Sequence, residues 1–260
     1  KRLEYRGYDS AGLAVQNSEG RLEIRRAAGR LSELTDRLRQ DPLAGTVGLA
    51  HTRWATHGPP TLRNAHPHRD CSGQLAVVHN GIIENSEVLR GKLAEEGHTF
   101  RSDTDTEVLA HLLEHLWDGQ IESTLRAALP MVEGTYALGV MSEDDPDKIV
   151  AARQGAPLLV GLPADGHHER FLASDVAAIL RYTDRVVDLE DGEIAVLHRD
   201  GMDIRDREGR SGDNHVRTVD WDLAEIERGG YEHFMLKEIH EQPSRLTDTL
   251  RGRLLDDEGD

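Results

Sequence analysis

The chain has 260 residues, 48 acidic against 31 basic side chains, and a net charge of −17, which argues against a nucleic-acid binder, whose footprint would be basic. Cys71 is the single cysteine, so an internal disulfide is excluded and a cysteine-based metal cluster is not expected. No run approaches the roughly 20 apolar residues of a membrane span and no signal peptide is visible, so the expectation is a cytoplasmic protein of one large or two small domains, with no membrane partner.

In chain order, residues 1–5 read as the last turn of a helix, and 6–12 turn into a strand over 13–16. Asn17-Ser18-Glu19-Gly20 is a hairpin turn and 22–26 the returning strand. Leu31, Leu34 and Leu38 place a helix over 29–40. A small, apolar strand over 45–50 then delivers His51-Thr52-Arg53-Trp54-Ala55-Thr56-His57-Gly58, which Pro59-Pro60 halts. Arg53 offers a two-pronged fork for a carboxylate, Trp54 an apolar cover, and Thr56 and His57 further donors and acceptors. An ordinary loop with a structural arginine fits the same residues.

His66-Pro67-His68 invites a metal, but no cysteine or carboxylate joins the pair at ligand spacing. A Pro-centred turn with hydrogen-bonded imidazoles is the expectation. A buried strand over 74–78 ends in His79-Asn80-Gly81, ahead of a helix over 84–96. An amide side chain beside a bare backbone N–H is what an oxyanion hole needs, although an Asn-Gly turn explains the spacing equally simply. Residues 102–107 are rich in cap formers and acids, the start of a helix; capping does not need all of Asp103, Asp105 and Glu107, so one can face a ligand amine. A helix over 123–132 follows, then strands over 134–142, 148–153, 157–162 and 170–174, and a helical turn over 175–180. A hairpin of 185–189 with 193–198, a linker over 200–212 and a helix over 244–255 complete the chain. Many strands and few amphipathic helices suggest sheets covered by helices.

Five segments now stand in one order: YRGYDSAG (5–12), HTRWATHG (51–58), NAHPH (64–68), HNGIIEN (79–85) and DTDTEV (103–108). Together they resemble the class II glutamine amidotransferases, and HTRWATHG with HFMLKEIHEQP (233–243) resembles the branch that passes ammonia to fructose 6-phosphate. The resemblance implies an α+β fold, a four-layer αββα N-terminal-nucleophile hydrolase sandwich of two mostly antiparallel sheets, here without its first strand. It implies a glutaminase domain over 1–205, and over 206–260 a linker and lead-in to a sugar isomerase domain. It implies that Arg53 holds the α-carboxylate of L-glutamine and Asp105 the α-amino group. It further implies that Asn80 and Gly81 form the oxyanion hole, that Thr56 and His57 lie in the loop that closes over glutamine, that Trp54 gates the ammonia route and that Arg6 stands beside the nucleophile. No cofactor or metal is implied; the whole enzyme is expected as a homodimer. A non-catalytic glutamine-binding module and a phosphoribosyl-pyrophosphate amidotransferase are the alternatives.

The family's nucleophile is a cysteine at the mature N-terminus, with its own α-amino group as base. Lys1 stands first here, so a cut chain that does not hydrolyse glutamine is expected. Cys71 does not substitute: it is internal and sits in a polar turn over 69–73, at the start of the strand whose other end carries Asn80, and residues 74–78 put roughly 16 Å between those ends if extended.

Overall fold

In the computed structural model, residues 2–164, 168–212, 215–220 and 230–250 are described. Two compact units divide the chain, Lys1–Val219 and Asp220–Asp260. The first unit begins with β1 (Ser10–Gln16), β2 (Leu22–Ala28), helix α1 (Leu31–Gln40) and β3 (Val47–Arg53). There follow β4 (His68–Arg69), β5 (Leu75–Ile83), α2 (Ser86–Glu95), α3 (Asp105–His115) and α4 (Ile121–Ala128). The remainder is strand: β6 (Gly134–Ser142), β7 (Lys148–Gln154), β8 (Leu159–Gly161), β9 (Phe171–Ala173), β10 (Arg185–Asp188), β11 (Ile194–His198), β12 (Met202–Arg205) and β13 (Val216–Thr218).

These strands pair antiparallel into sheets ordered β2-β1-β3, β13-β10-β8-β9 and β12-β11-β7-β6-β5-β4. Alternation along β5 shows why they stack. Leu75 and Val77 join Leu89, Leu109, Leu112 and Leu125, so α2, α3 and α4 cover one face of the six-stranded sheet. Ala76 and Val78 turn the other way and meet Ala14 and Leu49 of the three-stranded sheet. Val160 of β8 and Val187 of β10 pack on Ala137, Ala151 and Ala195 of the same inner face. Helix α1 caps the three-stranded sheet through Leu34 on Ala11 and Ala27. The result is the expected αββα sandwich, at about 1.5–3 kcal/mol of burial per large apolar side chain.

One layer departs from expectation, because it is two sheets rather than one. β3 ends the first and β9 the second, and both line one cavity. The hairpin expected between 185–189 and 193–198 does not form: β10 pairs with β8 and β13, whereas β11 pairs with β7 and β12. Val187 and Leu189 pack face to face with Ala195 and Leu197, so burial puts the two strands in opposite layers. The linker expected over 200–212 contains β12, whose Ile204 is buried against that core. The first unit therefore runs past residue 205, to Val219.

The second unit contains α5 (Phe234–Leu250), which carries Pro243 inside it. Lys237 is buried there, 3.6 Å from Glu241, while Met235, Ile239 and Leu246 are exposed. Residues 251–255 of the expected last helix lie outside the described residues. No described helix is long and apolar enough to cross a membrane.

Candidate active site

A cavity of about 660 Å³ opens over the six-stranded sheet, with Val78, Asn80, Gly81 and Ala137 on its floor and β3 and β9 as walls. Arg53, Trp54, Thr56 and Asp105 also line it, so the topology gathers residues far apart in sequence.

Asn80 and Gly81 lie late in β5, opposite Ala137 and Tyr136 of β6. Gly81 has φ 127°, and a Cβ there would sit 2.1 Å from the Thr135 carbonyl oxygen, so only glycine keeps this path. His51 Nε2 is 2.8 Å from Asn80 Oδ1. An imidazole donating to that oxygen leaves the amide NH₂ as the donor end of Asn80. Burial, with Arg53 and His79 nearby, pushes His51 down to about 4, so the ring is neutral at physiological pH. His79 Nδ1 is 3.0 Å from the Thr106 hydroxyl and its Nε2 3.3 Å from the Thr135 carbonyl.

Asp105 opens α3, where the helix dipole favours an anion. The Thr104 hydroxyl caps the helix by accepting from the Glu107 N–H, and Glu107 accepts from the N–H groups of Arg101 and Ser102. Asp103 pairs with Arg63 and Asn64. Asp105 is thus the acid of this run that lines the cavity. Its Oδ2 accepts from the Ile83 N–H at 2.9 Å and stands 3.8 Å from His57 Nδ1.

Arg53 is buried, and its fork is engaged by its own loop. It donates to the carbonyls of His57, Gly58 and Pro59 and lies 3.5 Å from Asp9. Asp9 in turn accepts from the Ala55 N–H. Trp54 is 68% exposed, and its ring lies over Gly7, where a Cβ would come within 2.4 Å of it. The Thr56 hydroxyl is 3.4 Å from His57 Nδ1. The side chain of Arg6 lies outside the described residues.

His66 stacks on His51 at 4.3 Å, and His68 meets it edge-on at 4.9 Å. His68 Nε2 is 3.0 Å from the Thr104 hydroxyl, and burial beside Arg26 pushes it down to about 3. Cys71 is not among the residues lining the cavity. Although it sits in a polar turn, it is partly buried, and its sulfur lies 3.4 Å from His111 Nδ1 and 3.7 Å from His98 Nδ1. Burial and the Glu114 carboxylate push its thiol up. Sequence reasoning missed this group, because its members are spread from residue 71 to 114 and only the fold brings them together. It also missed His51, whose one signal was its place at the head of the Arg53 loop.

Residues 51–181 match the model of the glutamine amidotransferase domain. The chain is 53% identical over 98% of its length to a glutamine–fructose-6-phosphate aminotransferase (isomerizing) of Caldanaerobacter subterraneus subsp. tengcongensis, of which it spans 41%. It is 52% identical over its whole length to the enzyme of that name from Thermus thermophilus, and spans 42% of it. Among solved structures, the glutamine phosphoribosylpyrophosphate amidotransferase of B. subtilis superposes with a TM-score of 0.68 at 25% identity, covering 81% of this chain and 45% of that one. A class II glutamine aminotransferase domain protein from Silicibacter pomeroyi shares the fold, with a TM-score of 0.51 at 18% identity over 76% of this chain and 91% of its own.

Proposed function

Because the chain belongs to the glutamine amidotransferase family, we propose that it is the glutaminase part of a glutamine–fructose-6-phosphate aminotransferase. In that role it releases ammonia from L-glutamine for transfer to fructose 6-phosphate, giving glucosamine 6-phosphate. The observation that carries this reading is that Asn80, Gly81, Asp105 and Arg53 all line one cavity. The chain spans about two fifths of the relatives it matches, so sugar amination belongs to the whole protein.

A thiolate attacks the side-chain amide carbon of glutamine, and negative charge develops on the amide oxygen. The Asn80 NH₂ and the Gly81 N–H stabilise that charge where it forms. A neutral amine takes the thiol proton and returns it to the departing nitrogen, which leaves as ammonia. Water then cleaves the thioester to glutamate. Asp105 answers the α-amino group. Arg53 answers the α-carboxylate once the 57–59 carbonyls yield its N–H groups, which couples glutamine binding to movement of the loop.

Cys71 lies outside the cavity and does not supply the thiol. Among the described residues β3 and β9 have no partner strand on the edges that flank the cavity, and an extended segment can add between them as a strand. We place the nucleophile on such a segment. The test is glutamate release from three chains: residues 1–260, the same with Cys71→Ser, and residues 1–260 preceded by a Cys-first segment. Activity is expected in the third alone. Release by the first chain that disappears with Cys71→Ser overturns the assignment.

A further inference from the structure

We propose that Cys71, His98, His111 and Glu114 form a tetrahedral site for zinc, separate from the glutamine cavity. One donor atom from each lies within 4.8 Å of all the others. The Cys71 sulfur is 3.7 Å from His98 Nδ1 and 3.4 Å from His111 Nδ1. Glu114 Oε2 is 3.0 Å from His98 Nδ1 and 3.4 Å from His111 Nδ1. A tetrahedral zinc with ordinary bond lengths sets its ligands apart by about 3.5 Å for sulfur to nitrogen and about 3.3 Å for nitrogen to oxygen. These four separations already stand close to those spacings.

The surroundings fit a cation of this class. Both imidazoles turn Nδ1 inward, and the outer Nε2 of buried His111 faces Glu107 Oε1 at 3.7 Å. That separation is beyond hydrogen-bond range, so Glu107 stands where a carboxylate behind a metal-bound histidine belongs without yet bonding to it. Glu114 is held in place by the N–H groups of Cys71 and Ser72, and the Thr99 N–H donates to the Cys71 sulfur. One thiolate, one carboxylate and two neutral imidazoles leave a bound divalent zinc with no net charge, which suits a partly buried position. Sulfur and imidazole donors select zinc over magnesium or calcium. Binding displaces the Cys71 thiol proton to solvent, and a proton on the inward Nδ1 of either imidazole moves to its outer Nε2, so both rings stay neutral.

Placement suggests the purpose. Cys71 precedes β5, His98 lies between α2 and α3, and His111 and Glu114 sit in the last turns of α3. The far end of β5 carries Asn80 and Gly81, and the far end of α3 carries Asp105. Zinc here ties together the two elements that present the glutamine site, without touching substrate.

The experiment strips the protein with a chelator and titrates it with cobalt(II), then zinc. Cys71 is the only cysteine of these 260 residues, and in the whole protein the part of a sulfur-to-cobalt charge-transfer band that is lost in Cys71→Ser reports this site. One equivalent of cobalt should raise the band and zinc should abolish it. Cys71→Ser should remove the band, and both Cys71→Ser and His98→Asn should weaken zinc binding at least tenfold. Zinc at one hundred times its Kd should raise Tm by roughly 5–10 °C, and this rise should vanish in both variants. His98 lies near the surface, so His98→Asn, with its fold checked by circular dichroism, covers the case in which Cys71→Ser does not fold. Saturating cobalt without a sulfur band, or zinc binding unchanged in a folded variant, overturns the proposal.

Discussion

His51 makes the acid response of this fold calculable. The ring contacts Asn80, stacks on His66 and faces His79 and Arg53. An unfolded histidine protonates near 6.5, whereas His51 in the fold does so only at about 4. Between those values the unfolded chain binds more protons, so stability is complete above about pH 6.5 and falls as pH falls. At about 1.4 kcal/mol per pH unit, that gap is worth about 3 kcal/mol, lost in full below pH 4. The assay is urea unfolding at about pH 7.5 and pH 4.5, for the wild type and His51→Gln, whose amide can still donate to Asn80. The wild type should lose roughly 2–3 kcal/mol more than the variant on acidification. His66 and His68, lowered for the same reason of burial, steepen the loss in both proteins, His66 less in the variant because His51 is one of the charges that lowers it. Equal acid sensitivity of the two, or an NMR titration placing the His51 ring near 6.5, refutes the reasoning.

Asn80→Ala in the whole enzyme should lower glutaminase turnover about a hundredfold or more, with a smaller change in affinity; a variant that keeps turnover and loses only affinity contradicts the oxyanion role. Arg53→Ala should weaken glutamine binding by about 2–5 kcal/mol in calorimetry, since a partly buried carboxylate is left unpaired; unchanged affinity leaves Arg53 with only its bonds to the 57–59 carbonyls. Leu112, 1% exposed between α3 and the six-stranded sheet, should cost about 2–5 kcal/mol as Leu112→Ala, read from denaturant melts; a loss below about 1 kcal/mol would show that the helical layer repacks. In each case the circular dichroism of the folded variant should match the wild type.

Local chemistry was legible in the sequence, because it depends on neighbours along the chain. The β1–β2 turn is one case: the Asn17 side chain accepts from the N–H groups of Glu19 and Arg21, a habit of asparagine that needs no tertiary partner. The start of α3 is another, since Thr104 and Glu107 satisfy backbone donors within six residues of themselves. The order of motifs was legible too, and with it the family and its sandwich. What the sequence left open was every question of which surfaces meet. Residues 185–198 look like a hairpin, because the Asp-Gly turn and flanking apolar runs permit one; the burial of Leu189 and Ala195 against each other sent the strands into opposite layers. Arg53 looked like a fork for a carboxylate, and only the fold revealed that its loop holds it first. Cys71 looked like an isolated thiol, because a sequence lists residue 71 far from 98, 111 and 114. Packing α3 beside β5 brings them within reach of one ion, and such proximity is a property of the assembled chain alone.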